Sequence, residues 1–215
     1  MMETGSVLKF KLPCDLGFGY ARLIDFTSIS KIDGTIIKVY DYYGHETKDD
    51  IEEICKHDYL LNAIPLVRVP NLKGKDCWKL LGVKPMDDDN DLPDFKYKIH
   101  VPVMDESTLD PNWKVSLNFG TTKDDSFYPY SKVRHLEQRI FSTRLTIETR
   151  SAIEILRKKN ENIGDYFDIE SEKKVVYYRS INIPIFSTIP KEIRGKALIQ
   201  GRVPNEFLNY WETNK

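Results

Sequence analysis

Several groups of residues in this sequence could do chemistry, each of a different kind. Cys55-Lys56-His57 places a thiol and an imidazole close together, half of a zinc site that Cys14 or Cys77 would have to complete. Structural zinc uses two such close pairs and the sequence offers one, so a buried thiol beside a surface histidine is expected. His45-Glu46 precedes Asp49, Asp50, Glu52 and Glu53, a set that could move protons or hold a cation. A charge run of this kind is expected to form a solvated face. Gly17-Phe18-Gly19 has two glycines of a dinucleotide loop, but Tyr20-Ala21-Arg22-Leu23-Ile24 follows as a strand where that loop needs a helix. Gly195-Lys196 ends like a phosphate loop, yet Pro190 replaces its first glycine and Ala197 its hydroxyl.

The four histidines lie in unrelated contexts, and no Gly-x-Ser-x-Gly elbow is present. No catalytic, cofactor-binding or metal-binding residue is therefore assigned. Lys96-Tyr97-Lys98 and Tyr177-Tyr178-Arg179 interleave bases with aromatics, as single-strand platforms do. Half-buried strands with solvated cations give the same pattern. Asp87, Asp88, Asp89, Asp91 and Asp94 are the candidate partner-binding residues, an acidic cluster able to steer a basic surface. A soluble linker is the competing reading.

Charge is distributed unevenly behind a formal net of −1. Residues 87–110 hold two Lys+Arg against eight Asp+Glu, and residues 111–215 hold eighteen against thirteen. The three cysteines are too few and too scattered for a disulfide framework, and reduced thiols follow. Lysines interrupt the only apolar run near the N-terminus, and no stretch reaches the roughly eighteen apolar residues of a membrane span. A soluble cytoplasmic protein is the expectation, with no membrane association.

These residues need elements to position them. Leu8, Phe10 and Leu12 alternate with Lys9 and Lys11, a strand with one apolar face and one lysine face. Asp15 and Gly17 turn the chain into a second strand from Phe18, making a β-hairpin. An Asp33-Gly34 turn leads to the strand Ile36 to Tyr43. Residues 48–56 suit a short helix or solvated connection. Residues 60–69 suit an edge strand or bulge because of Pro65, and Trp78 to Val83 a last strand. Pro85 to Pro93 marks a boundary.

Beyond it, Phe95, Tyr97, Ile99, Val101 and Val103 alternate with Lys96, Lys98, His100 and Pro102 as a half-buried strand. Trp113, Val115, Leu117 and Phe119 form another. Val133 to Ile140 reads as a helical turn or a strand, with the helical form preferred. Residues 142–160 read as a helix capped by Ser142, its apolar face carrying Leu145, Thr149, Ala152, Ile153 and Leu156, with Gly164 beyond its end. Val175 to Ile185 suits a strand, and Pro190 and Pro204 open two short helices. The expected fold is β-rich α+β: a small barrel or strongly curved antiparallel sheet in residues 1–86, an acidic linker at 87–94, and an α+β half at 95–215.

Residues 5–85 resemble the immunity protein 26 family of bacterial polymorphic toxin systems. The likeness lies in Gly5-Ser6-Val7 leading to Phe10-Lys11-Leu12-Pro13, then Gly17-Phe18-Gly19-Tyr20-Ala21-Arg22-Leu23. The strand Ile36 to Tyr42, Ile64-Pro65-Leu66-Val67 and Trp78-Lys79-Leu80-Leu81-Gly82-Val83-Lys84-Pro85 complete it. Cys14-Asp15-Leu16 departs from the family's polar first turn. The resemblance implies a cytoplasmic protein that binds a cognate protein toxin and blocks it without catalysis or cofactor, nucleases being one candidate class of toxin. The contrasting reading is a nucleic-acid-binding module using the basic second half, which salt-dependent binding to generic nucleic acid would reveal. Oligomeric state is left open.

Overall fold

The computed structural model describes residues 3–26, 34–74, 77–85, 92–98, 113–124, 126–133 and 135–169. The chain divides into two compact units. One comprises Met1–Phe95, Ser116–Asp124 and Arg139–Ala152, the other Lys96–Val115, Asp125–Gln138 and Ile153–Lys215.

The first unit is built on an antiparallel sheet of β1 (Ser6–Lys11), β2 (Phe18–Asp25), β3 (Thr35–Gly44), β4 (Tyr59–Pro65) and β5 (Lys79–Val83), in the order β4-β3-β2-β1-β5. Among the described residues this is an open sheet with β4 and β5 at its edges, and no closed barrel forms. The expected opening hairpin is present, with Lys9 opposite Tyr20 and Phe10 opposite Gly19. Its connection runs through Cys14 and Asp15 at φ 59° and 51°, then Gly17 at φ 82°. A Cβ on Gly17 would lie 2.3 Å from the carbonyl carbon of Gly44, so only glycine fits this turn.

Leu8, Phe10 and Leu12 are buried, as their alternation requires. The opposite face is not given over to water. There Val7, Tyr20 and Tyr40 pack with Ile54 of α1 (Ile51–Ile54). Val7 and Leu8, adjacent in the strand, are therefore both fully buried. Asp50 caps this single helical turn, its carboxylate accepting the Glu52 and Glu53 N–H groups. β4 is an edge strand with a bulge, as Pro65 suggested: its register with β3 slips between Ile37 and Val39, and Ala63 sits at φ 51°.

The remaining strands are β6 (Phe95–Lys98), β7 (Trp113–Leu117), β8 (Thr122–Lys123) and β9 (Glu137–Gln138), in a second sheet of order β8-β7-β6-β9. The residue boundary between the units falls within β6 and β7. After β7, Asn118 and Phe119 take left-handed conformations (φ 47° and 54°), which brings Phe119 into a cluster with Ile24, Ile36 and Phe95. The expected pattern of buried aromatics and solvated lysines holds at Phe95 but breaks at the next two residues of β6. Lys96 is fully buried and Tyr97 is 37 % exposed. The Lys96 ammonium lies 5.7 Å from the centre of the Trp113 ring, which offers it an electronegative face in place of water.

Of the stretch Val133 to Ile140, Val133 closes a short helix, α2 (Tyr130–Val133), and Glu137–Gln138 form β9, so the strand alternative holds there rather than the preferred helical form. α3 (Arg144–Lys158) is the expected long helix, with its start one residue later than read. Thr143 is the capping side chain, accepting the Thr146 N–H at 3.3 Å. Ser142 is instead drawn into a parallel bridge with Leu66 and is buried. The helix ends within the expected bounds, and Asn160 makes its terminus. Asn160 sits at φ 58°, donates to Arg157 O, and lets Glu161 N–H reach Leu156 O, a left-handed terminus that side-chain patterning does not reveal. Thr149, Ala152, Ile153 and Leu156 are buried as expected, but Leu145 is 46 % exposed. Ile99, Val101, Val103 and all of residues 170–215, with the strand and helices expected there, lie outside the described residues.

Candidate functional site

β1, the start of β5 and the first turn of α3 enclose a cleft of about 580 Å³ in the first unit. Its floor is Phe10, stacked on the Trp78 ring at 4.4 Å and 17°. The Trp78 indole N–H donates to Glu148 Oε1 at 2.7 Å, which ties the entry of β5 to α3. Arg144, one helical turn earlier, places its Nε 3.5 Å from the same carboxylate oxygen. Pro13, Cys77 and the exposed Leu145 complete the apolar lining.

A polar network occupies the other side. Asp49 Oδ1 accepts from Lys9 Nζ at 2.6 Å and from Tyr20 OH at 3.1 Å, and Oδ2 from Lys79 Nζ at 3.2 Å. Tyr20 OH also lies 2.8 Å from Thr47 Oγ1. Partial burial works against an ionised Asp49, but the hydrogen bonds from Lys9, Lys79 and Tyr20 outweigh it and hold the carboxyl below its usual range. Burial likewise disfavours the Lys9 ammonium, yet its bond to Asp49 raises its pKa. Burial pushes the Tyr20 hydroxyl up. The network therefore stays as a carboxylate between two ammonium groups at neutral pH.

The chemistry-bearing residues of the sequence take other positions. Cys55 Sγ accepts from Tyr40 OH at 3.2 Å, and burial together with that bond raises the tyrosine pKa strongly. His57 stacks on Tyr42 at 4.7 Å, and His45 Nε2 lies 2.8 Å from the Asp15 carbonyl. The thiol and imidazole of Cys55-Lys56-His57 are thus engaged with different tyrosines. Among the described residues no three His, Cys, Asp or Glu side chains form a group able to hold a metal ion.

The run from Asp49 to Glu53 is largely solvent-exposed, as expected, but each acid in it has a partner. Asp49 joins the cleft network, Asp50 caps α1, Glu52 pairs with Lys84, and Glu53 pairs with Lys56. Of the acidic cluster, Asp87, Asp88, Asp89 and Asp91 lie outside the described residues. Asp94 accepts the Asn118 N–H at 2.7 Å and so supports the left-handed turn after β7. Lys98 lies at the end of β6, and Tyr177, Tyr178, Arg179, Gly195 and Lys196 are outside the described residues.

The residues carrying the family likeness meet one another. Arg22 Nη2 donates to the carbonyls of Lys84 at 2.7 Å and Pro85 at 2.8 Å. Gly5 N–H donates to Leu23 O, and Lys84 N–H to Gly5 O. A Cβ on Gly5 would lie 2.3 Å from that same Lys84 carbonyl oxygen. Phe10 and Trp78 form the stack beneath the cleft. These contacts lock β5 against β1 and make the motifs a scaffold. The network of Asp49, Lys9 and Lys79 had no signal in the sequence beyond the charge of each residue.

An open antiparallel sheet bearing a charged cleft over an aromatic floor has the form of a binding scaffold. The family of Immunity protein 26 matches residues 3–115, which takes in the whole five-stranded sheet, and the chain belongs to that family. The match extends past the likeness read from residues 5–85. No curated protein and no solved structure matches the chain. No helix among the described residues is long and apolar enough to cross a membrane.

Proposed function

We propose that this protein is the immunity partner of a bacterial toxin, acting in the cytoplasm by binding the toxin and masking its active surface, with no catalytic step of its own. The observation that carries this reading is the match of residues 3–115 to Immunity protein 26. The scaffold is consistent with it. Inhibition by binding needs a firmly held scaffold that presents a complementary surface, and the interlocking of Gly5, Arg22 and Trp78 supports the first of these. The toxin belongs on this reading to a polymorphic toxin system, with nucleases a leading class. Against a basic, phosphate-binding cleft the aspartates 87, 88, 89, 91 and 94 would speed encounter in a salt-sensitive way.

The test is to look for a toxin-like reading frame directly upstream of this gene and to co-express its product with this chain. The two proteins are expected to purify as one complex, and the toxin to kill cells only when this chain is absent. Steep, salt-dependent binding to generic nucleic acid with no capture of the toxin would support the nucleic-acid module instead.

A further inference from the structure

We infer that the cleft between β1, Lys79 and α3 receives an acidic segment of the partner, an apolar side chain flanked by carboxylates. The inference rests on the toxin-binding reading and names the contact within it.

Charge is the first argument. Four cationic side chains line the cleft, Lys9, Lys11, Lys79 and Arg144, against two carboxylates, Asp49 and Glu148. Both carboxylates already accept from the scaffold. Asp49 takes Lys9, Lys79 and Tyr20, and Glu148 takes the Trp78 indole. Lys9 and Lys79 are paired with Asp49 and Arg144 with Glu148, so the lining keeps a net of two positive charges, with Lys11 exposed and the ammonium groups able to donate further N–H bonds. A carboxylate is matched here and a cation is repelled.

The apolar lining sets the rest of the ligand. Leu145 stands 46 % exposed beside Pro13, although its place in the helix pattern belongs to the buried face. A volume of about 580 Å³ lies within the range of about 300–1,000 Å³ typical of ligand clefts. Nucleic acid fits less well, because base stacking needs an open aromatic face. Phe10 is 1 % exposed with Trp78 against it. The Phe18 ring has the Lys9 ammonium over it at 4.1 Å and packs against the cluster of Val7 and Tyr20. An aliphatic side chain needs no such face.

Floor and network residues fall inside the segment matched to the family, whereas Arg144, Leu145 and Glu148 come from beyond it. The matched segment thus supplies most of the cleft and α3 one wall of it.

The experiment has two arms, both with the full-length protein. In the first, toxin affinity is measured for wild type, Lys11→Glu, Leu145→Glu and the control Lys56→Glu, which lies outside the cleft. Thermal melts confirm that each variant folds. Both cleft variants are expected to bind about tenfold or more weakly, with Lys56→Glu unchanged. Equal affinities for all four proteins would overturn the inference while leaving toxin binding intact. In the second arm the probe is an acetylated, amidated Glu-Asp-Leu-Glu-Asp peptide, followed by nitrogen-15 NMR. Saturable shifts at Lys11 and Leu145 that shrink with salt are expected, with none from the corresponding Lys-Lys-Leu-Lys-Lys peptide. No shift at millimolar acidic peptide, or an equal shift from the basic peptide or from oligothymidylate, would overturn the assignment without reference to the toxin.

Discussion

Replacing Trp78 by phenylalanine tests whether the cleft is held open by one cross-link. The substitution keeps a ring to stack on Phe10 but deletes the indole N–H that Glu148 accepts at 2.7 Å. That bond is short and joins a neutral donor to a carboxylate with 15 % of its side chain exposed. Hydrogen bonds to charged groups are worth about 1.5–3 kcal/mol, and Arg144 remains near the carboxylate to limit the damage. A loss of about 2 kcal/mol is therefore expected. At about 2–4 °C per kcal/mol for a chain of this size, Tm should fall by about 4–8 °C. The assay is urea and thermal unfolding of wild type, Trp78→Phe, Glu148→Gln and the double variant, followed by circular dichroism. The double-mutant cycle should return a coupling of about 1–2 kcal/mol. A coupling under about 0.5 kcal/mol would refute the reasoning, because the sheet and helix would then be held together without this bond.

Two further stability measurements follow from the geometry. Gly17→Ala forces a Cβ onto a left-handed residue, at about 1–2 kcal/mol, and against the backbone of Gly44 2.3 Å away, so its urea midpoint should fall clearly below wild type; an unchanged midpoint would mean the turn rearranges freely. Asp49→Asn should cost about 1 kcal/mol at neutral pH, since 32 % of the Asp49 side chain is exposed and solvent screens the pair. Because its folded pKa is depressed, the Asp49 contribution is complete above the ordinary carboxylate value of 3.8 and disappears as pH falls through the lower folded value. The gap between wild type and Asp49→Asn, measured by unfolding from neutral pH into acid, should therefore hold down to about pH 4 and close as pH falls from there through the folded value; a gap that closes near neutrality would contradict the assigned ion pairs.

The parts of the fold written in local patterning were legible. The alternation of Leu8, Phe10 and Leu12 gave the first strand, and Pro65 gave the bulged edge. The 3.6-residue spacing of Thr149, Ile153 and Leu156 gave the long helix. Burial of β1 on both faces was not legible, because α1 is one turn long and carries only Ile51 and Ile54 as apolar residues. Lys96 misled for a related reason: its environment is set by Trp113, a residue of another strand.

The cleft was hidden because its parts are distant in sequence. Lys9 and Asp49 are 40 residues apart, and Trp78 and Glu148 are 70 apart. Read locally, Asp49 was one of several acids in a charged run. Three dimensions gave each of those acids a separate partner. The family likeness was readable at Gly5 and Arg22 because those residues meet backbone carbonyls, and at Trp78 because it stacks on Phe10 and bonds Glu148, contacts that tolerate few other side chains. The lining residues Lys11 and Leu145 are exposed at the cleft only because distant segments meet there, and no local pattern records that.

The most direct measurement is a titration of the purified toxin's activity with this protein. The account predicts a linear loss of activity that ends at a fixed stoichiometry and is matched by formation of a stable complex. Full toxin activity in the presence of excess protein, with no complex formed, would contradict it.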